Sequence, residues 1–144
     1  MTDATLDAAI AARVRDSFAR QSLMATFGAT LGPVAPGHVV IEAPILDLSR
    51  QQHGFGHAGL TFALGDTAAG YAALTLMPPG TEVLTVEMKI NLVAPAAGDR
   101  LIATGRVVKA GRRLTVVTAE VEAEADGRRR TVALLQGTML PVEP

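Results

Sequence analysis

The sequence predicts an α+β domain in which one long buried helix is followed by an antiparallel sheet. Between residues 59 and 76 the chain is mostly Ala, Leu, Gly and Thr. That apolar run is too long for a strand and is typical of a helix buried on all sides. From residue 84 onward apolar residues recur at every second position, which is the period of a strand with one buried face. Wrapping the sheet around the helix would bury both patterns.

Composition and charge exclude several functional classes. The 144 residues suit about one domain, and 49% hydrophobic with 19% charged residues argues against a disordered chain. A net charge of -1 without a long basic block argues against nucleic-acid binding. No apolar run approaches the ~20 residues of a membrane span, and the start lacks a basic signal region. With no cysteine to serve as nucleophile or disulfide partner, we expect a cytoplasmic protein with no membrane partner.

The first predicted element is an amphipathic helix over residues 5–20, on the outside of the domain. Its apolar residues recur at four-residue spacing, at Leu6, Ile10, Val14 and Phe18. Either Thr2 or Asp3 is suited to cap its start. We therefore expect a single domain over 1–144, with an N-terminal helical segment (1–27) and a core (28–144).

Turn residues separate the predicted strands. Pro36-Gly37 lies between the two strands of a first hairpin, before the long helix. After the helix, the strongest strand pattern alternates Leu84, Val86, Met88, Ile90 and Leu92 with Thr85, Glu87, Lys89 and Asn91. Further strands are predicted over 101–109, 114–125 and 131–139. Their short connections predict an antiparallel meander for the four strands after the helix.

A glycine-rich turn precedes the long helix and resembles two unrelated binding motifs. The spacing Gly54-x-Gly56-x-x-Gly59 matches a dinucleotide fingerprint, but no buried parallel strand precedes it and only strands follow the helix. His53 and His57 have the spacing of a helical metal pair, yet glycines lie between them and no Glu follows His53. We therefore predict neither a nucleotide cofactor nor a metal.

Asp66 is the only charged residue between Arg50 and Glu82. Burying an unpaired carboxylate is costly, so its place in an apolar helix points to chemistry. If the helix begins near Ala58 or Gly59, free amide groups and the positive end of the dipole there favour an oxyanion. Asp66 lies two turns further on and cannot easily reach the same carbonyl. A second chain would then supply one half of the site, so we expect a homodimer or a homotetramer.

Over most of its length the chain resembles the hotdog-fold acyl-CoA thioesterases of the phenylacetate-degradation type. The resemblance is carried by His57-Ala58-Gly59 with Asp66, by Gly70-Tyr71-Ala72-Ala73, and by the stretch from Thr85 to Pro95. It implies a hotdog fold, here with an extra N-terminal helix, in which an H-G-G turn starts the central helix. Ala58 replaces the first glycine of that turn, although its amide can still donate.

The resemblance also implies roles for individual residues. In the family, an Asp nine residues after the His is base or nucleophile, which corresponds to Asp66 after His57. An Asn or Gln six residues before the His orients substrate and water, which corresponds to Gln51. A family hydroxyl on the strand after the helix corresponds to Thr85. Each residue also has a purely structural interpretation. Asp66 would be a buried acid and His57 a brace of the turn. Gln51 would be an ordinary loop residue and Thr85 an ordinary strand residue.

The implied reaction is hydrolysis of an acyl-CoA thioester to a carboxylate and free coenzyme A, without a cofactor. Backbone amides of Ala58 and Gly59 would stabilise the oxyanion. Apolar residues along the helix favour an aryl or medium-chain acyl group. Basic residues at a hairpin tip are either contacts for coenzyme A phosphates or solvated: Lys109, Arg112 and Arg113.

Two alternative functions belong to other classes. A hotdog enoyl-CoA hydratase would share the fold and ligand, but its family carries a D-x-N-P-x-H run that residues 47–53 do not match. A non-catalytic acyl-CoA-binding protein would keep the pocket and lose the carboxylate, so Asp66 speaks against it.

Overall fold

A computed structural model describes residues 6–144. The helices are α1 (Ala8–Ala19), α2 (Ser22–Thr26) and α3 (Ala58–Leu74), and the strands are β1 (Thr30–Ala35), β2 (His38–Pro44), β3 (Glu82–Leu92), β4 (Arg100–Ala110), β5 (Thr115–Ala125) and β6 (Arg128–Val142). The predicted long helix, first hairpin and later strands are all confirmed, in the predicted order. No helix within residues 6–144 is long and apolar enough to cross a membrane.

The N-terminal helix is shorter than predicted. It begins at Ala8 rather than at residue 5, because the Asp7 carboxylate accepts a hydrogen bond from the Ala9 amide (2.7 Å) and caps the helix there. The suggested caps, Thr2 and Asp3, lie outside the described residues. A second short helix, α2, continues the helical segment up to the start of the core.

Side chains from α1 and from the start of α2 fasten the N-terminal segment to the far end of α3. Arg13 donates to the carbonyl oxygens of Leu74 (2.7 Å) and Pro78 (2.9 Å), so its guanidinium satisfies the last carbonyl of the long helix and one carbonyl of the turn that follows. Gln21 donates to the Tyr71 hydroxyl (2.7 Å). The N-terminal segment therefore covers the C-terminal half of α3 and leaves the start of that helix open.

The six strands form one antiparallel sheet in the order β1-β2-β4-β5-β6-β3. The predicted meander is correct for β4, β5 and β6 and wrong for β3, which pairs with β6 instead of β4. The reason is that β2, from the first hairpin, already occupies the free side of β4. β3 therefore lies at the opposite edge of the sheet, with one side of its backbone unpaired among the described residues.

The long helix α3 packs against the inner face of the sheet at backbone contact. A Cβ added to Gly105 on β4 would lie 2.3 Å from the backbone of Ala68, so only glycine allows this approach. One strip of α3 stays exposed or half-exposed, and its residues are Ala58, Gly59, Phe62, Ala63, Asp66 and Thr67. The prediction that α3 is buried on all sides is therefore correct except along this strip.

A β-bulge at Val86 changes which side chains of β3 face the helix. Thr85 pairs with Met139 and Glu87 with the next residue back along β6, so Val86 is an extra residue. Besides Glu82, the half-buried positions are Val83, Thr85, Met88 and Ile90, while Leu84, Val86 and the last residue, Leu92, are exposed. The predicted single apolar face is thus wrong before the bulge. The bulge turns Thr85 toward α3, although strict alternation would have placed it on the outer face.

We expect Gly105→Ala to destabilise the fold by about 1–3 kcal/mol, because its methyl group would have to separate β4 from α3. Gly70→Ala is the matched control: an added Cβ there makes ordinary contacts at 3.9 Å, and alanine favours the helix by up to about 1 kcal/mol. Urea unfolding measures both. Equal effects of the two substitutions would contradict the close contact.

Candidate active site

Asp66 is held by a single polar neighbour, Thr85. The Thr85 hydroxyl donates to the Asp66 Oδ1 atom at 2.8 Å, and the Thr85 hydroxyl oxygen lies 3.3 Å from the sulfur of Met139, which is fully buried. Burial raises the pKa of Asp66 above its ordinary value, and the bond from Thr85 opposes that shift only in part. A half-buried carboxylate with a raised pKa and an open side is suited to accept a proton or attack a carbonyl.

The second half of the site is the glycine-rich turn before α3. The carboxamide oxygen of Gln51 accepts a hydrogen bond from the His53 amide, which leaves the Gln51 nitrogen without a partner among the described residues. The His57 Nδ1 accepts from the Gly59 amide at 2.7 Å, so the neutral ring carries its proton on Nε2. Gln51 and His57 therefore both present donors beside the start of the helix.

The amide of Ala58 stays available at the first position of α3, because the first residues of a helix have no intrahelical acceptor. The amide of Gly59 is already bonded to His57. The φ angle of Ala58 is not positive, because Asp126 is the only described non-glycine residue with a positive φ. Alanine therefore fits this position without backbone strain. Alanine in place of the family glycine therefore leaves the helix start intact.

A groove of about 650 Å³ lies over this turn, between Gln51, His57 and Ala58 on one side and the end of β3 with the chain that follows it (residues 92–96) on the other. Asp66 does not line it, because eight residues of helix separate Asp66 from Ala58, or about 12 Å. A larger concavity of about 760 Å³ lies on the outer face of the sheet, away from both. One chain thus holds the two halves of the predicted site apart, as the sequence suggested.

The basic hairpin tip lies at the other end of the molecule from the groove. The tip joins β4 to β5, and the strand pair next to it is Ala110 with Thr115. Thr115 pairs in turn with Met139 on β6, and Met139 pairs with Thr85 on β3. The basic residues at or beside the tip are Lys109, Arg112 and Arg113. They therefore share an end of the sheet with Asp66 and lie away from their own chain's Gln51 and His57.

Two contacts of the site were not predicted from the sequence. The buried sulfur of Met139 beside Thr85 follows from strand pairing alone and has no local sequence signal. Arg50, at the entrance to the turn, donates to two backbone carbonyls. The sequence signal for these contacts is the position of a lone arginine directly before a glycine-rich turn. Within residues 6–144, no group of three or more His, Asp or Glu side chains is placed to hold a metal.

Comparison with known proteins identifies the family. The model of the thioesterase superfamily matches residues 53–129, which include His57, α3 and Thr85 but not Gln51. The chain belongs to the thioesterase superfamily. Its fold is the hotdog fold, and it is a thioester hydrolase, as the resemblance implied.

Three relatives illustrate the similarity. A thioesterase family protein from Silicibacter pomeroyi has 45% identity and a TM-score of 0.91, over 94% of this chain and 99% of that one. Human acyl-coenzyme A thioesterase 13 is 30% identical over 100 residues, 69% of this chain and 71% of that protein. A variant of the phenylacetic acid degradation protein PaaI from Thermus thermophilus has 25% identity and a TM-score of 0.73, over 85% of this chain and 100% of that one.

We expect Asp66→Asn to stabilise the folded protein at neutral pH. Because burial raises the pKa of Asp66, the folded protein binds this proton more tightly than the unfolded chain does. The wild type therefore loses stability as the pH rises from about 4, the ordinary carboxyl value, through the raised pKa. The stability gained by the amide should grow over that window and then level off in urea unfolding at several pH values. A gain that does not depend on pH would contradict this.

Proposed function

We propose that the protein hydrolyses an aryl- or medium-chain acyl-CoA thioester to a carboxylate and free coenzyme A. The observation that carries this proposal is the pair of Asp66 and Thr85, a half-buried carboxylate with a raised pKa on the open strip of α3. The acyl-CoA activity of the human relative and the phenylacetate context of PaaI support the substrate class. The small and apolar neighbours of Asp66 on that strip favour an uncharged acyl group.

In the proposed reaction, Asp66 acts on the thioester carbonyl in one of two ways. It takes a proton from a water that adds to the carbonyl carbon, or its oxygen attacks that carbon directly and water later cleaves the anhydride. Either way the carbon–sulfur bond breaks, and the coenzyme A thiolate leaves and takes up a proton. The Thr85 hydroxyl holds the carboxylate, or the water beside it, in line with the carbonyl.

The oxyanion would be stabilised by groups at the start of α3. The free amide of Ala58 donates to the carbonyl oxygen, and the Gly59 amide joins it when the His57 ring moves aside. The unpartnered nitrogen of Gln51 orients the substrate carbonyl from the other side of the groove. The positive end of the helix dipole favours the same negative charge.

A second copy of the chain would bring the two halves together by pairing along β3. This strand is eleven residues long and lies at the edge of the sheet. Apolar side chains are exposed at both of its ends: Leu84 and Val86 toward the start, and Leu92 with Val93, the next residue of the chain, at the other end. A long edge strand with exposed apolar side chains at its ends normally requires a cover. A two-fold axis near the middle of β3 would pair the β3 strands of two copies antiparallel to each other. Each apolar end of one strand would then contact the opposite apolar end of the other.

The same axis would complete the site. Thr85 and Leu92 lie seven residues apart on β3, about 23 Å along the strand. Antiparallel pairing about the middle of the strand would set Thr85 and Asp66 of one copy beside the groove near Leu92 of the other, where Gln51 and His57 lie. This proposed dimer, or a tetramer built from it, follows from geometry that a single chain cannot satisfy.

The basic tip would then contact the phosphates of coenzyme A. Arg112, Arg113 and Lys109 lie at the end of the sheet that carries Asp66, which is where a thioester bound across the two chains would extend. Arginine and lysine form strong charge-assisted hydrogen bonds with phosphate.

We expect Asp66→Asn to fold and to lose at least about 100-fold in kcat, because the amide can neither accept a proton nor attack. Thr85→Val should lower kcat about tenfold with little change in KM, and should cost little more when added to Asp66→Asn. Thiol release from a panel of aryl- and medium-chain acyl-CoA thioesters measures each loss. Asp16→Asn, on the exposed side of α1, is the matched control and should stay at wild-type activity.

Turnover of Asp66→Asn within about threefold of the wild type would make Asp66 structural and refute this mechanism. Full additivity of the Asp66 and Thr85 losses would remove Thr85 from the site. If no thioester releases thiol while crotonyl-CoA is hydrated, the protein is a hydratase. Binding of acyl-CoA with neither reaction would identify a binding protein.

We expect mixtures of two inactive variants to recover activity if the site is shared between copies. Asp66→Asn and Gln51→Ala, unfolded together and refolded, should give half hybrid dimers with one intact site each, about a quarter of wild-type activity. Refolding each variant alone is the control. Recovery no greater than the sum of the two variants would place Gln51 and Asp66 in the same chain's site or outside it.

A further inference from the structure

We propose that Arg50 is a positioning residue for the thioesterase site, whose guanidinium holds the glycine-rich turn in the shape that presents Gln51 and the start of α3. This inference rests on the proposed function for its effect on turnover. Its effect on the turn itself rests only on the contacts of Arg50.

The guanidinium of Arg50 connects the turn to the core. One of its terminal nitrogens donates to the Gly54 carbonyl at the tip of the turn (2.6 Å), and the other donates to the Ile45 carbonyl (2.8 Å). Ile45 is buried, and its amide donates to the carbonyl of Asp99 (2.9 Å), so the residue that anchors the guanidinium is itself fixed to the core. The planar fork of arginine spans both carbonyls at once, which the single charged group of lysine cannot do.

Apart from those of Arg50, the hydrogen bonds at the tip of the turn lie within the turn itself. Gly54 has a φ of +85° and no atom lies within 4 Å of the position its Cβ would occupy. Phe55, the next residue, is exposed. The nearby carboxylate of Asp47 lies 3.5 Å from Arg50 but is fully exposed, so that ion pair contributes little. Two backbone bonds close the turn, from Gln51 to the Phe55 carbonyl and from Gly54 to the Gln51 carbonyl.

Arg50 stands directly before the residue whose side chain it would position. Its backbone forms a bridge with Gly56, and Gly56 forms a second bridge with Ala96, a wall of the groove. Release of the Gly54 carbonyl would loosen the exposed segment from Gln52 to Phe55, which lies between the bridged residues Arg50 and Gly56. Gln51 would then lose its fixed distance to the substrate carbonyl, and an error of about 1 Å in such a contact can cost up to 100-fold in rate.

The experiment compares Arg50→Met, Arg50→Lys and the control Arg15→Met, an exposed arginine of α1 whose loss changes the net charge equally. We expect Arg50→Met to lower kcat at least tenfold with KM within about threefold, and Arg50→Lys to retain an intermediate kcat. Arg15→Met should match the wild type. Circular dichroism and thermal unfolding establish the folded fraction of each variant at the assay temperature.

Hydrogen–deuterium exchange of peptides covering residues 51–57 supplies a readout that does not need activity. Faster exchange there in Arg50→Met, with unchanged exchange in β4 and β5, is the expected result. Unchanged exchange, or a kcat within twofold of the wild type, would overturn the proposal. So would a kcat loss that only matches the loss of folded protein. If Arg50→Met fails to fold, Arg50→Lys with wild-type kcat and exchange would also overturn it.

The two proposals fail in different ways. A wild-type protein that cleaves no thioester refutes the proposed function, and the exchange measurement still decides whether Arg50 clamps the turn. Wild-type thioesterase activity with an unaffected Arg50→Met variant refutes the role of Arg50 alone.

Discussion

The half-buried carboxylate of Asp66 needs a hydrogen-bond donor, and the Thr85 hydroxyl is the one it has. Burial of an ionised carboxylate without a charged partner raises its pKa and lowers the stability of the fold. The hydrogen bond from Thr85 offsets only part of this loss. The depth of Asp66 is set in turn by the backbone contact between α3 and Gly105 on β4. Stability and chemistry thus compete at this one helix position.

The bulge at Val86 connects this bond to the rest of the sheet. Without the extra residue, Thr85 would face the outer surface and Asp66 would have no donor from β3. The bulge also leaves Leu84 and Val86 exposed along the edge of the sheet. A single backbone irregularity therefore places the hydroxyl at the carboxylate and shapes the edge where we propose that a second copy pairs.

The start of α3 is organised by local contacts that do not involve Asp66. His57 caps the helix through its own ring, Gln51 bonds back to the turn, and Arg50 attaches the turn to a core carbonyl. Each of these contacts spans only a few residues, and the bridge from Gly56 to Ala96 then attaches the turn to the chain that follows β3. The two halves of the site are therefore built by separate parts of the chain and meet only through the proposed dimer.

The sequence by itself predicted the long helix, the strands and the hotdog family, and it pointed to the candidate residues, because these depend on local patterns. The apolar run of α3, the alternation of the strands, and the spacing of His57, Asp66 and Thr85 are all visible without coordinates. Only the tertiary structure decided the partner of β3, the inward orientation of Thr85 and the contacts of Met139 and Arg50. Strand order depends on which edge is already occupied, and a bulge is one extra residue whose place is set by the neighbouring strand. Such long-range pairings leave no periodic signal in the chain.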